Sequence, residues 1–169
     1  MNGQFNAHGV ELGQRYVSHA IVQDGTPIST ERADSDLYYR PSTDPGAHLP
    51  HVWIERDCRR ISTLDLVANY GFTLITGIAG KVWHEAASLV AKEFEVPISY
   101  LPIGLRQECD DVFGDWARIR AIDDDGCLLV RPDRFIAWRS KHGTTKTAAP
   151  ALRRAMAKIL WTVTAPCHY

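Results

Sequence analysis

One glycine-containing stretch stands where a phosphate loop or a thiol redox site could form. Residues 76–81 read Thr-Gly-Ile-Ala-Gly-Lys and follow an apolar run that predicts a strand. A Walker loop needs glycine at the position of Ile75 and serine or threonine at the position of Val82, and a Rossmann fingerprint needs a third glycine. The stretch 76–81 contains no cysteine, so it lacks the dithiol that thiol–disulfide exchange of the thioredoxin kind needs. We therefore interpret 76–81 as the start of a packed helix.

The spacing of cysteines and histidines excludes the common zinc and dithiol sites. The four cysteines, Cys58, Cys109, Cys127 and Cys167, form no C-x-x-C pair, and we predict that all are reduced structural thiols. Histidines at an i, i+3 spacing around Leu49-Pro50 do not force metal ligands to converge, and a third histidine falls on a predicted helix. We interpret the first two as polar anchors of a strand start, with the second hydrogen-bonded to the segment before it; the three are His48, His51 and His84.

The acidic runs and the serines form no recognisable catalytic group. Asp110-Asp111 and Asp123-Asp124-Asp125-Gly126 could supply paired carboxylates, but consecutive acids before a glycine are typical of an exposed turn, and no twelve-residue calcium loop is present. Ser62 and Ser99 lie in no G-x-S-x-G motif, and the sequence assigns them no base. We predict no catalytic, cofactor-binding or metal-binding residue in this chain. Five tryptophans (53, 83, 116, 138 and 161) are expected to pack in a core or an interface.

The composition is that of an average globular domain. The 169 residues are 45% hydrophobic and 23% charged, with a net charge of −1. The basic residues are scattered, so we expect no nucleic-acid partner. No apolar run approaches the roughly 18 residues that span a bilayer, and the N-terminus lacks the order of a signal peptide. These features predict no membrane association and a cytoplasmic location.

The chain divides by pattern into an irregular N-terminal arm, 1–50, and a regular domain, 51–169. The arm is rich in glycine and proline, with one possible short strand at 16–22, and such a segment could wrap a neighbouring domain. Residues 61–67 predict a short helix or extended segment capped by Ser62 or Thr63. Apolar runs and helical periodicities predict strands at 51–55, 71–77, 98–103, 127–131 and 134–138, and helices at 81–95, 110–122 and 148–163, the last ended by Pro166.

From residue 71 the order is β-α-β-α-β-β-α. The first two strands, joined by a helix, should be parallel, and 127–131 with 134–138 should form an antiparallel hairpin around Pro132-Asp133. This order predicts an α/β fold of the thioredoxin-like type, a mixed sheet flanked by helices.

Several segments resemble one enzyme family. Residues 71–77, and 129–133 followed by 136–139, are similar to the two signatures of the C-terminal, thioredoxin-like domain of FAD-dependent aromatic-ring hydroxylases. That group includes bacterial phenol and chlorophenol monooxygenases and polyketide hydroxylases. The resemblance extends from about residue 5 to residue 160 and includes 9–16, 36–54 and 61–66. It departs from the family at Arg134, where glycine often follows Pro-Asp, so the turn there either tolerates a side chain or is strained.

The resemblance implies FAD and NAD(P)H in the complete enzymes, bound by domains that have no counterpart in this sequence. It also implies that the C-terminal domain serves packing and subunit contact and holds no essential catalytic residue. Our main hypothesis is therefore a non-catalytic relative of that domain, without a cofactor of its own, that associates as a homodimer or with a flavoprotein hydroxylase partner. The alternatives are a fragment or subunit of an FAD- and NAD(P)H-dependent aromatic monooxygenase and, more weakly, a helper that binds aromatic small molecules.

Overall fold

The computed structural model describes residues 13–26 and 39–160, and a two-stranded hairpin comes first among its regular elements. Strands β1 (Trp53–Arg56) and β2 (Arg59–Ser62) pair antiparallel around a two-residue turn. Asp57 and Cys58 both have positive φ (52° and 57°), as a type I′ turn requires. The sequence predicted a strand at 51–55 and a turn at 57–58, but β2 was missed because this turn lacks the usual glycine signal.

A short 3-10 helix, Thr63–Leu66, follows β2 and confirms Ser62 as its cap. The Ser62 hydroxyl oxygen accepts a hydrogen bond from the Leu64 backbone N–H at 3.1 Å. The Asp65 carboxylate accepts one from the Ser62 backbone N–H at 2.9 Å. This reciprocal capping box fixes the direction in which the chain leaves the hairpin.

The main sheet contains four strands in the order β4-β3-β5-β6. Strand β3 (Phe72–Thr76) pairs parallel with β4 (Ile98–Pro102) and antiparallel with β5 (Cys127–Val130), which pairs antiparallel with β6 (Ile136–Ser140). Every residue of β3 and β5 is buried, since both strands lie inside the sheet and both of its faces are covered. The mixed α/β class and the predicted order of elements are confirmed.

The three helices are α1 (Lys81–Phe94), α2 (Asp115–Ile119) and α3 (Ala148–Ile159). Helices α1 and α3 pack on one face of the sheet, where their apolar residues form a buried cluster with residues of β3, β5 and β6. The hairpin, the 3-10 helix, α2 and part of the arm cover the other face. The predicted helix 81–95 is therefore confirmed almost to the residue. Helix α3 ends at Ile159, and the predicted stop at Pro166 lies outside the described residues.

Helix α2 is much shorter than the predicted 110–122. The chain turns at 111–114, where Gly114 has a φ of 67° that a helix cannot contain. The buried Asp111 then accepts hydrogen bonds from the backbone N–H groups of Trp116 (3.2 Å) and Ala117 (2.9 Å). The acid that suggested an earlier helix start is in fact the group that satisfies the first turn of the shorter helix.

The turn between β5 and β6 shows which conformation Arg134 adopts in place of the glycine that the family often has. The Arg134 N–H donates to the Arg131 carbonyl (2.9 Å), with Pro132 and Asp133 between them. Arg134 itself has a φ of 67°, the left-handed conformation that follows a type I turn in three-residue hairpin loops. Arg134 therefore carries the strain that glycine would avoid, and β6 begins at Ile136 rather than at 134 as predicted.

The described part of the arm lies along the free edge of β6. The Val22 N–H donates to the Ala137 carbonyl (2.7 Å), and the Gly46 N–H donates to the Ile136 carbonyl (2.8 Å). The expected strand at 16–22 does not form, because a turn from Ser18 to Ile21 interrupts it. The division of the chain at residue 50 and the wrapping of a neighbouring domain stay predictions. Within 13–26 and 39–160, no helix is both long and apolar enough to cross a membrane.

Candidate functional site

Arg139 of β6 is the most deeply buried charged residue of the arm interface. Its side chain is 1% exposed, and its guanidinium reaches two separate segments of the arm. Nε donates to the Asp24 carboxylate (2.7 Å), Nη2 to the Thr26 hydroxyl (3.0 Å) and Nη1 to the Asp44 carboxylate (3.0 Å). Breaking such a buried pair is costly because the remaining charge loses its partner.

The two carboxylates that face Arg139 are held in their charged form. Burial alone would raise the pKa of Asp24, but hydrogen bonds from the Thr26 backbone and from Arg139 outweigh it and lower that pKa. Burial likewise opposes ionisation of Asp44, whose pKa is nevertheless lowered by Ser42, Arg15 and Arg139. Nη2 of Arg15 also binds Asp44 at 2.8 Å, while its Nη1 is buried without a hydrogen-bond partner, so the ion pairs link the arm to β6 with one donor left unpaired.

The glycines of the loop at 76–81 lie in close contact with their neighbours. A Cβ atom at Gly77 would lie 2.7 Å from the Asp124 carbonyl oxygen and 2.6 Å from an Arg120 nitrogen. A Cβ atom at Gly80 would lie 2.4 Å from that of Thr76. These glycines permit close packing between the loop and its neighbours, which supports the interpretation of 76–81 as the start of a packed helix.

The acidic run after α2 is an exposed turn, as predicted. Asp124 forms an ion pair with Arg120, while Asp123 and Asp125 lie 3.1 and 3.4 Å from Nδ1 of His142. The Asp125 carbonyl accepts a hydrogen bond from the Trp83 indole N–H at 2.7 Å and so ties the turn to α1. No group of three or more His, Cys, Asp or Glu in the described ranges could hold a metal ion.

The three thiols that the structure describes form no disulfide, and two of them are buried. Cys109 and Cys127 are fully buried. Burial raises the pKa of Cys109 to about 11 and that of Cys127 well above its usual value. Because the thiolate is the nucleophile, a raised pKa makes both thiols weak nucleophiles near neutral pH. Cys58 is exposed in the β1–β2 turn, and Cys167 lies outside the described residues.

One close pair was missed by sequence reasoning, which had assigned no base to Ser62. Nδ1 of His51 lies 2.7 Å from the Ser62 hydroxyl, and the predicted hydrogen bond of His51 to the arm stays a prediction. The pairing arises because the β1–β2 register places position 51 just beyond position 62. However, the Ser62 residue is 8% exposed and its oxygen already caps the 3-10 helix. The pair therefore has a structural role and joins the residues before β1 to the end of β2.

His48 and His84, the other two histidines considered from the sequence, also make packing contacts. Nδ1 of His48 lies 3.0 Å from the Leu49 carbonyl, and its ring packs edge-on against Phe135. The ring of His84 contacts that of Tyr100, with centroids 4.9 Å apart. The anchoring role predicted for His48 fits this geometry, since its backbone also pairs with Phe135 beside β6.

Large apolar side chains are exposed at the end of the sheet where β3 and β4 both terminate. Ile78 follows β3, while Leu105, Val112 and Phe113 lie in the segment between β4 and α2. They are 50%, 70%, 54% and 70% exposed, respectively. We call these four residues the apical surface. By contrast, Trp83, Trp116 and Trp138 are buried, Trp53 is 43% exposed, and Trp161 lies outside the described residues.

Comparison with known proteins places this geometry in a family. The sequence model of one protein family, the aromatic-ring hydroxylase C-terminal domain, matches residues 42–161 of this chain. The chain is 48% identical to 2,4-dichlorophenol 6-monooxygenase of Delftia acidovorans, covering 90% of this chain and 26% of that protein. It is 41% identical to phenol 2-monooxygenase of Pseudomonas sp. (strain EST1001), covering 82% of this chain and 23% of that protein.

Solved structures give the same result. The flavin-dependent monooxygenase PieE, determined with FAD and substrate, superposes with a TM-score of 0.86 at 44% identity, over 94% of this chain and 27% of that one. Aklavinone-11 hydroxylase, determined with FAD and aklavinone, gives a TM-score of 0.78 at 32% identity, over 92% of this chain and 28% of that one. The chain spans about a quarter of the length of the curated relatives it matches.

Proposed function

Since the chain belongs to the aromatic-ring hydroxylase C-terminal family, we propose that it is a non-catalytic association module of an FAD-dependent aromatic monooxygenase. Its substrates would be of the phenol class, as the names of its relatives indicate for those proteins. The module would work beside a flavin-binding part, whether that part belongs to the same polypeptide or to a separate chain, in the cytoplasm.

The observation that carries the proposal is the packing of the loop between β3 and α1. In open α/β sheets, ligands bind beyond the carboxyl ends of parallel strands. Here the carbonyl oxygen of Asp124 would lie 2.7 Å from a Cβ atom at Gly77, so this loop is packed closely against the backbone of the acidic turn. The two buried thiols nearest the sheet core are protonated at neutral pH. The groups at this end are arranged for packing rather than for chemistry.

The structure of the relatives supports a division of labour. The chain corresponds to 27% of PieE, a protein that was determined with FAD and substrate. A domain without its own reactive groups can still increase activity by holding the cofactor-binding part in its working arrangement. On this proposal the complete enzyme draws FAD and NAD(P)H chemistry from the other three quarters of its length.

A chimera tests this proposal. The matched quarter of the Delftia acidovorans 2,4-dichlorophenol 6-monooxygenase is replaced by this chain, and FAD content and hydroxylation are measured for the chimera and for the chain alone. We expect a yellow, active chimera and a colourless chain that does not oxidise NAD(P)H. Stoichiometric FAD on the isolated chain, or a chimera that neither folds with FAD nor hydroxylates, would overturn the proposal.

A further inference from the structure

We infer that the apical surface (Ile78, Leu105, Val112 and Phe113) is the face on which the FAD-binding part of the hydroxylase docks. The inference rests on the proposed function and adds to it a location and a class of contact. Single exposed apolar residues are ordinary on protein surfaces, but several at one end of a sheet mark an interaction site.

Backbone contacts join the loop that carries Ile78 to the loop that carries Leu105. The Ile103 N–H donates to the Thr76 carbonyl (2.9 Å), which joins the ends of β3 and β4. A Cβ atom at Gly104 would lie 2.4 Å from Cγ2 of Ile78, so the loop after β4 rests directly on that side chain. Leu105 is the next residue. Ile78 and Leu105 therefore lie on adjoining loops at this end of the sheet.

Backbone hydrogen bonds also order the segment that carries Val112 and Phe113. The Gly104 N–H donates to the Cys109 carbonyl (2.9 Å), and Asp110 exchanges backbone hydrogen bonds with Glu55 of β1. The Gly114 N–H donates to the Asp111 carbonyl (3.1 Å), which closes the turn that carries Val112 and Phe113. A surface whose backbone is already ordered loses little conformational entropy on binding.

Two arginines form ion pairs with acidic residues in or next to the segments that carry the surface. Arg56 binds Glu108 at 2.5 Å, and Arg118 binds Asp115. These two pairs add little net field, so we expect the docking contact to depend mainly on the apolar side chains.

The area of the surface favours the flavoprotein over a second copy of this chain. Four partly exposed apolar side chains present on the order of a few hundred Å², whereas a stable interface buries about 800 Å² on each partner. Contacts between domains of one chain can be smaller because the linkage supplies a high effective concentration. The relatives carry about three quarters of their length outside the region matched here, and that part supplies such a partner.

Side-chain labelling by a photoactivated carbene probe, read by mass spectrometry, tests the inference on the isolated chain and on the chimera. In the isolated chain Phe113, at 70% exposed, should react strongly, and Phe72, at 7%, should react weakly. In the chimera Phe113 and Leu105 should fall towards the level of Phe72. Tyr70, which is 75% exposed before β3 and so at the opposite end of the sheet, should stay unchanged.

Charge substitutions provide an independent readout. Phe113→Glu and Leu105→Glu in the chimera should lower its FAD retention on dilution by at least about tenfold, the scale of an interface hot spot. Leu89→Glu on α1 and Tyr70→Glu add the same charge at positions that are 58% and 75% exposed, and should have no effect. Urea unfolding of the isolated variants should match that of the unsubstituted chain.

The outcomes separate the two proposals. An active chimera in which Phe113 labels as strongly as in the isolated chain would disprove the docking surface and leave the module function standing. Protection of Phe113 in the isolated chain, together with a dimeric mass, would show that a second copy occupies the surface and would also disprove the inference. An inactive chimera without FAD would count against both.

Discussion

Two borders of the sheet differ in what covers them: the edge of β6 is covered by the arm, whereas apolar side chains are exposed at the ends of β3 and β4. Along β6 the arm donates backbone hydrogen bonds to the strand and supplies two carboxylates to the buried Arg139, so the charged groups there pair within the chain. At the ends of β3 and β4 the backbone is equally well ordered, but the apical surface leaves Leu105 and Phe113 70% exposed. A border closed by buried ion pairs specifies one intramolecular arrangement, whereas an open apolar border is available to a partner.

The largest expected effect comes from Arg139→Met, which removes the cation between Asp24 and Asp44. We expect a loss of about 3 kcal/mol in the free energy of unfolding, since two carboxylates lose their common partner. Urea denaturation measures this loss, and limited proteolysis of the arm should accelerate in parallel. Arg153→Met is the control, because its ion pair with Glu93 is solvent-exposed and should contribute about 0–1 kcal/mol. Equal losses in the two variants would show that the β6 border is not held by its charges.

Acid should weaken the same border. The pKa values of Asp24 and Asp44 are lowered in the folded protein, so their stabilisation is complete above the ordinary aspartate value of 3.8 and is lost as the pH falls through the folded-state values. The melting temperature of the unsubstituted protein should therefore fall below about pH 4, and this fall should be smaller than the loss that Arg139→Met causes at neutral pH. In Arg139→Met this part of the pH dependence should flatten. An unchanged slope in that variant would contradict the assignment.

The smallest expected effect concerns the turn that leads into the β6 border. Arg134→Gly should raise the free energy of unfolding by up to about 1 kcal/mol, because glycine adopts the φ of 67° without a Cβ clash. Arg134→Ala removes the same side chain but keeps the Cβ atom, and should give no gain. Thermal unfolding of the two variants separates relief of backbone strain from loss of the arginine side chain. A gain of equal size in both would assign the effect to the side chain.

Much of the architecture was predictable because it depends on local patterns. Helix α1 follows from apolar residues at three- and four-residue intervals, and β3 and β5 follow from continuous apolar runs between turn residues. Helix α2 was overextended because Asp111 gives the same sequence signal whether it lies inside a helix or caps one. Strand β2 was missed because Asp57-Cys58 adopts a glycine-like turn without containing glycine.

The sequence by itself determined the α/β class, the order of elements from residue 71 and the resemblance to the aromatic-ring hydroxylases, since each depends on residues close together along the chain. Only the tertiary structure decided which distant groups meet. Arg139 lies 115 positions from Asp24 along the chain. His51 lies 11 positions from Ser62, across a hairpin whose register cannot be predicted from a local motif. The exposure of Leu105 and Phe113 was also decided there, because burial depends on what the rest of the chain covers, and a residue's own identity does not specify that.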